Sequence, residues 1–133
     1  MKAETAVRSY RDLVVWRRSM DLAVECYRAT ESFPPPEKYG LASQIQRAAV
    51  SVPANIAEGH ARLHRKEFEH HLSIARGSLA EFETHLEIAA SLGYFTTDQA
   101  RSLGEGAGQV GRMLNGLLAS PRKKSDRPPR ESP

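Results

Sequence analysis

The chain has 133 residues, 40% of them apolar and 26% charged, with a net charge of +3. That length and apolar content supply one hydrophobic core, hence one domain. No run approaches the roughly 20 apolar residues that a membrane span needs, and the N-terminus MKAETAVRSYRDL has charges where a signal peptide needs its apolar stretch, which predicts a cytoplasmic protein with no membrane partner.

The charge is unevenly placed. Residues 119–133 hold five basic residues against two acidic ones, a surplus equal to the charge of the whole chain. Residues 1–11, read as an N-terminal extension, add three basic residues against one acidic, and residues 12–118 hold 11 basic against 13 acidic. The body of the protein is therefore close to neutral, and its basic balance does not by itself define a nucleic-acid surface.

The first helix is expected over about 12–32, with Asp12 as N-cap and Leu13, Trp16, Met20, Ala23 and Tyr27 repeating at steps of three and four. A second set, Val15, Leu22 and Cys26, widens the stripe and implies neighbours on more than one side. Cys26, the only cysteine, reads as a small buried hydrophobe. Phe33-Pro34-Pro35-Pro36 ends the helix because proline lacks the amide donor and restricts the residue before it. The second helix is expected over about 38–60, with Leu41, Ile45, Ala48, Val52 and Ile56 on one face. Pro53 predicts either a kink or a short restart capped by Ser51, and Gly59 is the expected stop before a charged turn from His60 to Lys66.

The third helix, about 65–92, carries Phe68, Leu72, Ala75, Leu79, Phe82, Leu86 and Ala89 at heptad-like spacing. Gly77 and Ser78 fall in its middle, where glycine costs about 1 kcal/mol relative to alanine, so a close helix contact is expected there. Gly93 ends the helix, and Thr96 or Thr97 caps the next, about 97–118, on the stripe Ala100, Leu103, Ala107, Val110, Leu114 and Leu117. Five glycines weaken this last helix, so fraying is expected here first. Residues 119–133 read as a disordered basic tail. Four amphipathic segments without a strand pattern or a Gly-rich phosphate loop give an all-α, antiparallel up-down four-helix bundle. The surplus apolar faces imply burial by further copies of the chain.

Little in this pattern carries chemistry. His60, His64 and Glu67 have metal-ligand spacing only if the helix continues past Gly59, and a solvated turn is the simpler reading. Di-iron bundles need two Glu-x-x-His pairs, and Glu67 with His70 is the single such spacing. No serine or cysteine has an identifiable base with an orienting acid. No catalytic residue, metal or cofactor is expected, and the chain reads as a non-enzyme. The unusual segment is SVPANIAEG, Ser51 to Gly59, which sets Asn55 and Glu58 on one helix face beside Pro53. Two readings stay open: local bonds to groups that Pro53 leaves free, or a polar network between helices involving Gln44 or Arg47.

Three stretches, RDLVVWRRSMDLAVECY, FPPPEKYGLASQIQRAAVSVPANIAEG and KEFEHHLSIARGSLAEFETHLEIAASLGY, cover most of residues 11–95. Together they resemble the bacterial four-helix bundle proteins encoded within intervening sequences of 23S rRNA genes. The resemblance implies antiparallel bundles assembled into homopentamers. It places Asn55, Glu58 and Gly59 on a helix 2 signature and Gly77, Ser78 and Glu81 on a helix 3 signature, with no catalytic role attached to either set. A related branch, the accessory variability determinant of diversity-generating retroelements, binds reverse transcriptase and nucleic acid through a basic pentamer surface.

The function expected from these readings is a self-assembling bundle that binds RNA, DNA or a ribonucleoprotein, with Arg47, Arg62, Arg65, Lys66, Arg122, Lys123 and Lys124 as candidate contacts multiplied by assembly. The alternative is an adaptor or scaffold that binds another protein and no nucleic acid.

Overall fold

The computed structural model describes residues 7–120. The tail residues Arg122, Lys123 and Lys124, expected as nucleic-acid contacts, lie outside the described residues. A 3-10 turn at Tyr10–Asp12 leads into α1 (Val14–Thr30), a second at Pro35–Glu37 precedes α2 (Leu41–Ala61), and α3 (Arg65–Ser91) and α4 (Thr97–Ala119) follow. There is no strand among the described residues.

Side-chain contacts fix the directions of the helices. Thr30 meets Gln46, Ser51 meets Ser78, Asn55 meets His71, Arg76 meets Asn115 and Glu25 meets Ser102. Each neighbouring pair therefore runs antiparallel, up-down-up-down. Contacts link α1 to α2, α2 to α3, α3 to α4 and α4 back to α1, while α1 and α3, like α2 and α4, lie across diagonals of a square. The core fills its centre. All seven α3 residues of the heptad-like stripe are buried, with Phe68, Leu72, Ala75, Phe82 and Ala89 fully so; Leu103, Ala107, Val110 and Leu114 of α4 are fully buried too, and Leu117 is buried.

The first helix departs from its expected face. Asp12 is not its cap; its carboxylate accepts the amides of Arg8 and Ser9 while the Ser9 hydroxyl accepts the amide of Arg11, closing the 3-10 turn ahead of α1. Those amide bonds hold the Asp12 carboxyl below its ordinary range. The narrower set Val15, Leu22 and Cys26 is fully inside; of the expected stripe Leu13 and Ala23 are buried, whereas Met20 is 38% and Tyr27 46% exposed. With apolar residues on two sides, α1 can turn only one of them to the core. The inward one has the smaller residues, Ser19, Ala23, Cys26 and Ala29, which let α2 and α4 approach. Burial pushes the Cys26 thiol up to about 12, so it stays protonated and unreactive.

Helix α2 neither restarts nor stops where its sequence signals fall. It runs unbroken through buried Pro53 and continues past Gly59 to Ala61. Ser51 caps nothing. The left-handed residue that ends the helix is Leu63, at φ 65°, whose amide bonds back to the His60 carbonyl. Gly59 serves a different purpose: an added Cβ would stand 2.6 Å from His71 Cβ and 3.4 Å from Phe68 Cα, so its absence lets α2 and α3 touch. Gly77, expected to mark such a contact, has nothing within 4 Å of that position. Helix α4 is continuous despite its glycines. Thr96 caps it in a reciprocal pair with Gln99, and a Cβ on Gly106 or Gly111 would come within 3.2 Å of Leu22 or 3.3 Å of Leu79, so these two positions admit core side chains.

Candidate functional site

The SVPANIAEG segment forms a polar seam between α2 and α3. Asn55 Nδ2 donates to the Ser51 carbonyl at 2.9 Å and to Ser51 Oγ at 3.1 Å, and Ser51 Oγ shares a 2.8 Å bond with Ser78 Oγ. With both donors spent on Ser51, Asn55 presents Oδ1 to His71 Nδ1 at 3.2 Å, which places the imidazole hydrogen on Nδ1. Nε2 of the same ring lies 3.9 Å from Glu58 Oε2. Glu58 in turn accepts from Arg62 at 3.0 Å, and Arg62 reaches Glu67 at 3.8 Å. The bridge between helices holds, whereas the local bond goes to the Ser51 carbonyl and not to the Ala49 carbonyl that Pro53 leaves free. The partners across the bridge are Ser78 and His71, however, and Gln44 and Arg47 are exposed one to two turns earlier along the same side of α2.

Four of the six signature residues enter this seam: Asn55, Glu58, Gly59 and Ser78. Gly77 is exposed, and Glu81 stands on the outer flank of α3, 3.8 Å from His85. Nothing in the sequence singles out His71. Its signal exists only as half of a pair with Gly59, which lies twelve residues away and across a helix turn.

The seam positions helices and offers no reacting group. Neither serine has a base, since the imidazole is reached only through Asn55, which needs its amide for both neighbours. His60, His64 and Glu67 do not converge: His60 is buried edge-on against Phe68, with ring centroids 5.7 Å apart, His64 is the exposed residue before α3, and Glu67 faces Arg62. Among the described residues no group of three His, Cys, Asp or Glu is placed to hold a metal, and no helix is long and apolar enough to cross a membrane.

Burial lowers the His60 pKa below its ordinary 6.5, with the Asp12 carboxylate opposing the shift. A proton that binds the unfolded chain more readily than the folded one destabilises the fold as pH falls through about 6.5 toward the lower folded value. Urea midpoints measured from pH 8 to pH 5 should therefore fall more steeply for the wild type than for His60→Gln. Parallel curves for the two proteins would count against this assignment.

The basic residues gather at one end of the bundle. Arg65 is buried, with its guanidinium on Glu69 Oε2 at 2.9 Å and on the Ser120 carbonyl at 2.8 Å, so it is a structural cation rather than a surface contact. That second bond ties the end of α4 to the start of α3. Arg62 and Lys66 are exposed beside it. The turn that precedes α1 packs on α2 at this end and adds exposed Arg8 and Arg11, and the first turn of α1 adds exposed Arg17. The sequence shows Arg8 and Arg11 as charges but does not bring them to the end of the bundle where α4 finishes, because only the antiparallel closure does so. Arg47 lies apart, exposed toward the middle of α2.

A second surface feature lies at the opposite end. Met20, Val24 and Tyr27 of α1 and Val50 and Pro53 of α2 line an apolar groove of about 990 Å³, which Tyr39 and Lys38 border.

Comparison with known proteins places the chain among relatives. The family described as 23S rRNA-intervening sequence protein matches residues 11–116. A crystal structure of a protein of unknown function from the S23 ribosomal protein family of Bacteroides thetaiotaomicron superposes with a TM-score of 0.73 at 25% identity, covering 80% of this chain and 100% of the other. No curated protein matches.

Proposed function

Because the chain belongs to the 23S rRNA-intervening sequence protein family, we propose that it is a non-enzymatic bundle that assembles with copies of itself, as a homopentamer, and binds RNA or a ribonucleoprotein through its basic end. The observation that carries this reading is that Arg8, Arg11, Arg17, Arg62 and Lys66 are exposed at the end of the bundle where α4 finishes, with Arg122, Lys123 and Lys124 next in the sequence. One copy offers a modest patch, with Glu58 and Glu67 already drawing on Arg62. Several copies in one assembly multiply it, and binding then gains from counterion release at each neutralised phosphate. DNA presents the same phosphates and is the companion probe.

The test is a titration of the full-length protein with a structured RNA at several salt concentrations. Affinity should fall linearly on a log-log plot, and the Arg8→Gln, Arg11→Gln, Lys66→Gln triple variant should flatten the slope by about 0.7 to 0.9 for each phosphate it no longer neutralises. Binding that ignores salt, or no binding at low salt, would remove the nucleic-acid reading. The adaptor reading would then take its place, supported by the groove between α1 and α2, which is apolar and uncovered in the single chain.

A further inference from the structure

We infer that the groove between α1 and α2 receives the outer flank of α3 from a second copy of the chain, with Arg28 of one copy set against Glu81 of the next. The inference rests on the self-assembly proposed above and specifies the surfaces that make it.

The described residues leave two apolar faces without a partner. One is the groove of Met20, Val24, Tyr27 and Val50. The other is a ridge on α3, where Ile74 and Ile88 are exposed two heptads apart with Leu92 one turn beyond. The ridge lies on the α2 side of α3, since Ser78 and His71 of that side bond to α2 while Arg76 on the other side bonds to α4. Groove and ridge thus occupy adjacent sides of the square. A head-to-tail contact between faces about 90° apart turns back on itself and closes into a ring of about four to six copies, whereas opposite faces would propagate a filament.

Closure also fixes the register. Copies around a ring axis that runs along the bundle have no net rise, so residues that meet across the interface stand at the same height in one chain. The Ser51–Ser78 bond sets the heights of α2 and α3, and the Thr30–Gln46 bond those of α1 and α2. Because every helix rises equally per residue, Ala48 stands level with Glu81 on one side and with Arg28 on the other. The same counting sets Ile74 level with Asn55 and so between Met20 and Val24, and sets Ile88 level with Leu41, beside Tyr39 and Ala42. The apolar ends of the ridge meet apolar stretches of the groove, and the acidic residue between them meets a basic one. Glu31 also borders the groove, but Arg28 and Lys38 leave that rim net basic.

Light scattering on full-length wild type, Arg28→Glu, Glu81→Arg and the double variant tests the pairing, with circular dichroism to confirm that each variant keeps its helices. Both positions are exposed. Each single variant should dissociate at a protein concentration about tenfold or more above the wild type, because it sets like charges against each other at every interface, and the double variant should recover the wild-type mass. A wild type of single-chain mass would overturn self-assembly and this pairing with it. An assembled wild type with both single variants unchanged, or with a double variant no better than either, would overturn the pairing and leave self-assembly standing.

Discussion

Gly59→Ala is expected to destabilise the bundle by about 1 to 2 kcal/mol, and Gly77→Ala to stabilise it by about 1 kcal/mol, although both place the same methyl group in the interior of a helix. The shared contribution is helix propensity, worth about 1 kcal/mol in favour of alanine. The difference comes from what the methyl meets. At Gly77 it meets nothing within 4 Å, so propensity acts alone. At Gly59 it stands 2.6 Å from His71 Cβ and 3.4 Å from Phe68 Cα, atoms that follow the backbone and cannot rotate away, so α2 and α3 must part. Overpacking of this kind costs about 1 to 3 kcal/mol. Parting also stretches the Asn55–His71 bond. Urea unfolding of the two variants beside wild type reads both signs in one experiment. A stabilised Gly59→Ala would show that the helices yield at no cost, and the seam would lose its role as the spacer that sets their distance.

These two glycines mark where the fold could be read from sequence and where it could not. The heptad-like run from Phe68 to Ala89 names the buried face of α3 because one stripe of large residues admits one orientation. In α1 two stripes compete, and the sequence contains nothing to say which faces inward. The choice depends on how closely α2 and α4 approach, a property of three helices together. Its consequence is the groove, since Met20 and Tyr27 of the expected stripe stay outside beside exposed Val24. Gly59 reads locally as a helix stop, yet it is a contact whose other half is on α3, and the residue that reverses the chain is Leu63, which no turn signal marks. The site follows the same division. Asn55, Glu58 and Ser78 are visible as an unusual pattern, but the imidazole of His71, and the placing of Arg8, Arg11 and Arg17 at the end of the bundle where α4 finishes, follow only from antiparallel closure.

Arg65→Met should cost about 2 to 3 kcal/mol, while Lys66→Met, one residue along, should change stability by less than about 0.5 kcal/mol. Methionine keeps most of the stem that Arg65 packs at 4% exposure, so the substitution isolates the guanidinium. That group bonds Glu69, whose side chain is 19% exposed, and also the Ser120 carbonyl at the end of α4. Removing it takes away two charge-assisted bonds, and a partly solvated Glu69 places the cost below that of a fully buried pair. The effect should be localised as well. Hydrogen exchange at the last amides of α4, near Leu117 and Ala119, should accelerate more than exchange in the middle of α3, because Arg65 is the clamp between the two ends. The two variants should also differ in the opposite sense toward RNA: Lys66→Met lowers the salt slope by about 0.7 to 0.9 without touching stability, whereas Arg65→Met keeps the slope and loosens the end of α4. Equal effects of both substitutions on the slope would mean that Arg65 leaves its buried bonds to meet phosphate. The basic end would then be an interface that rearranges on binding rather than one held ready by α4.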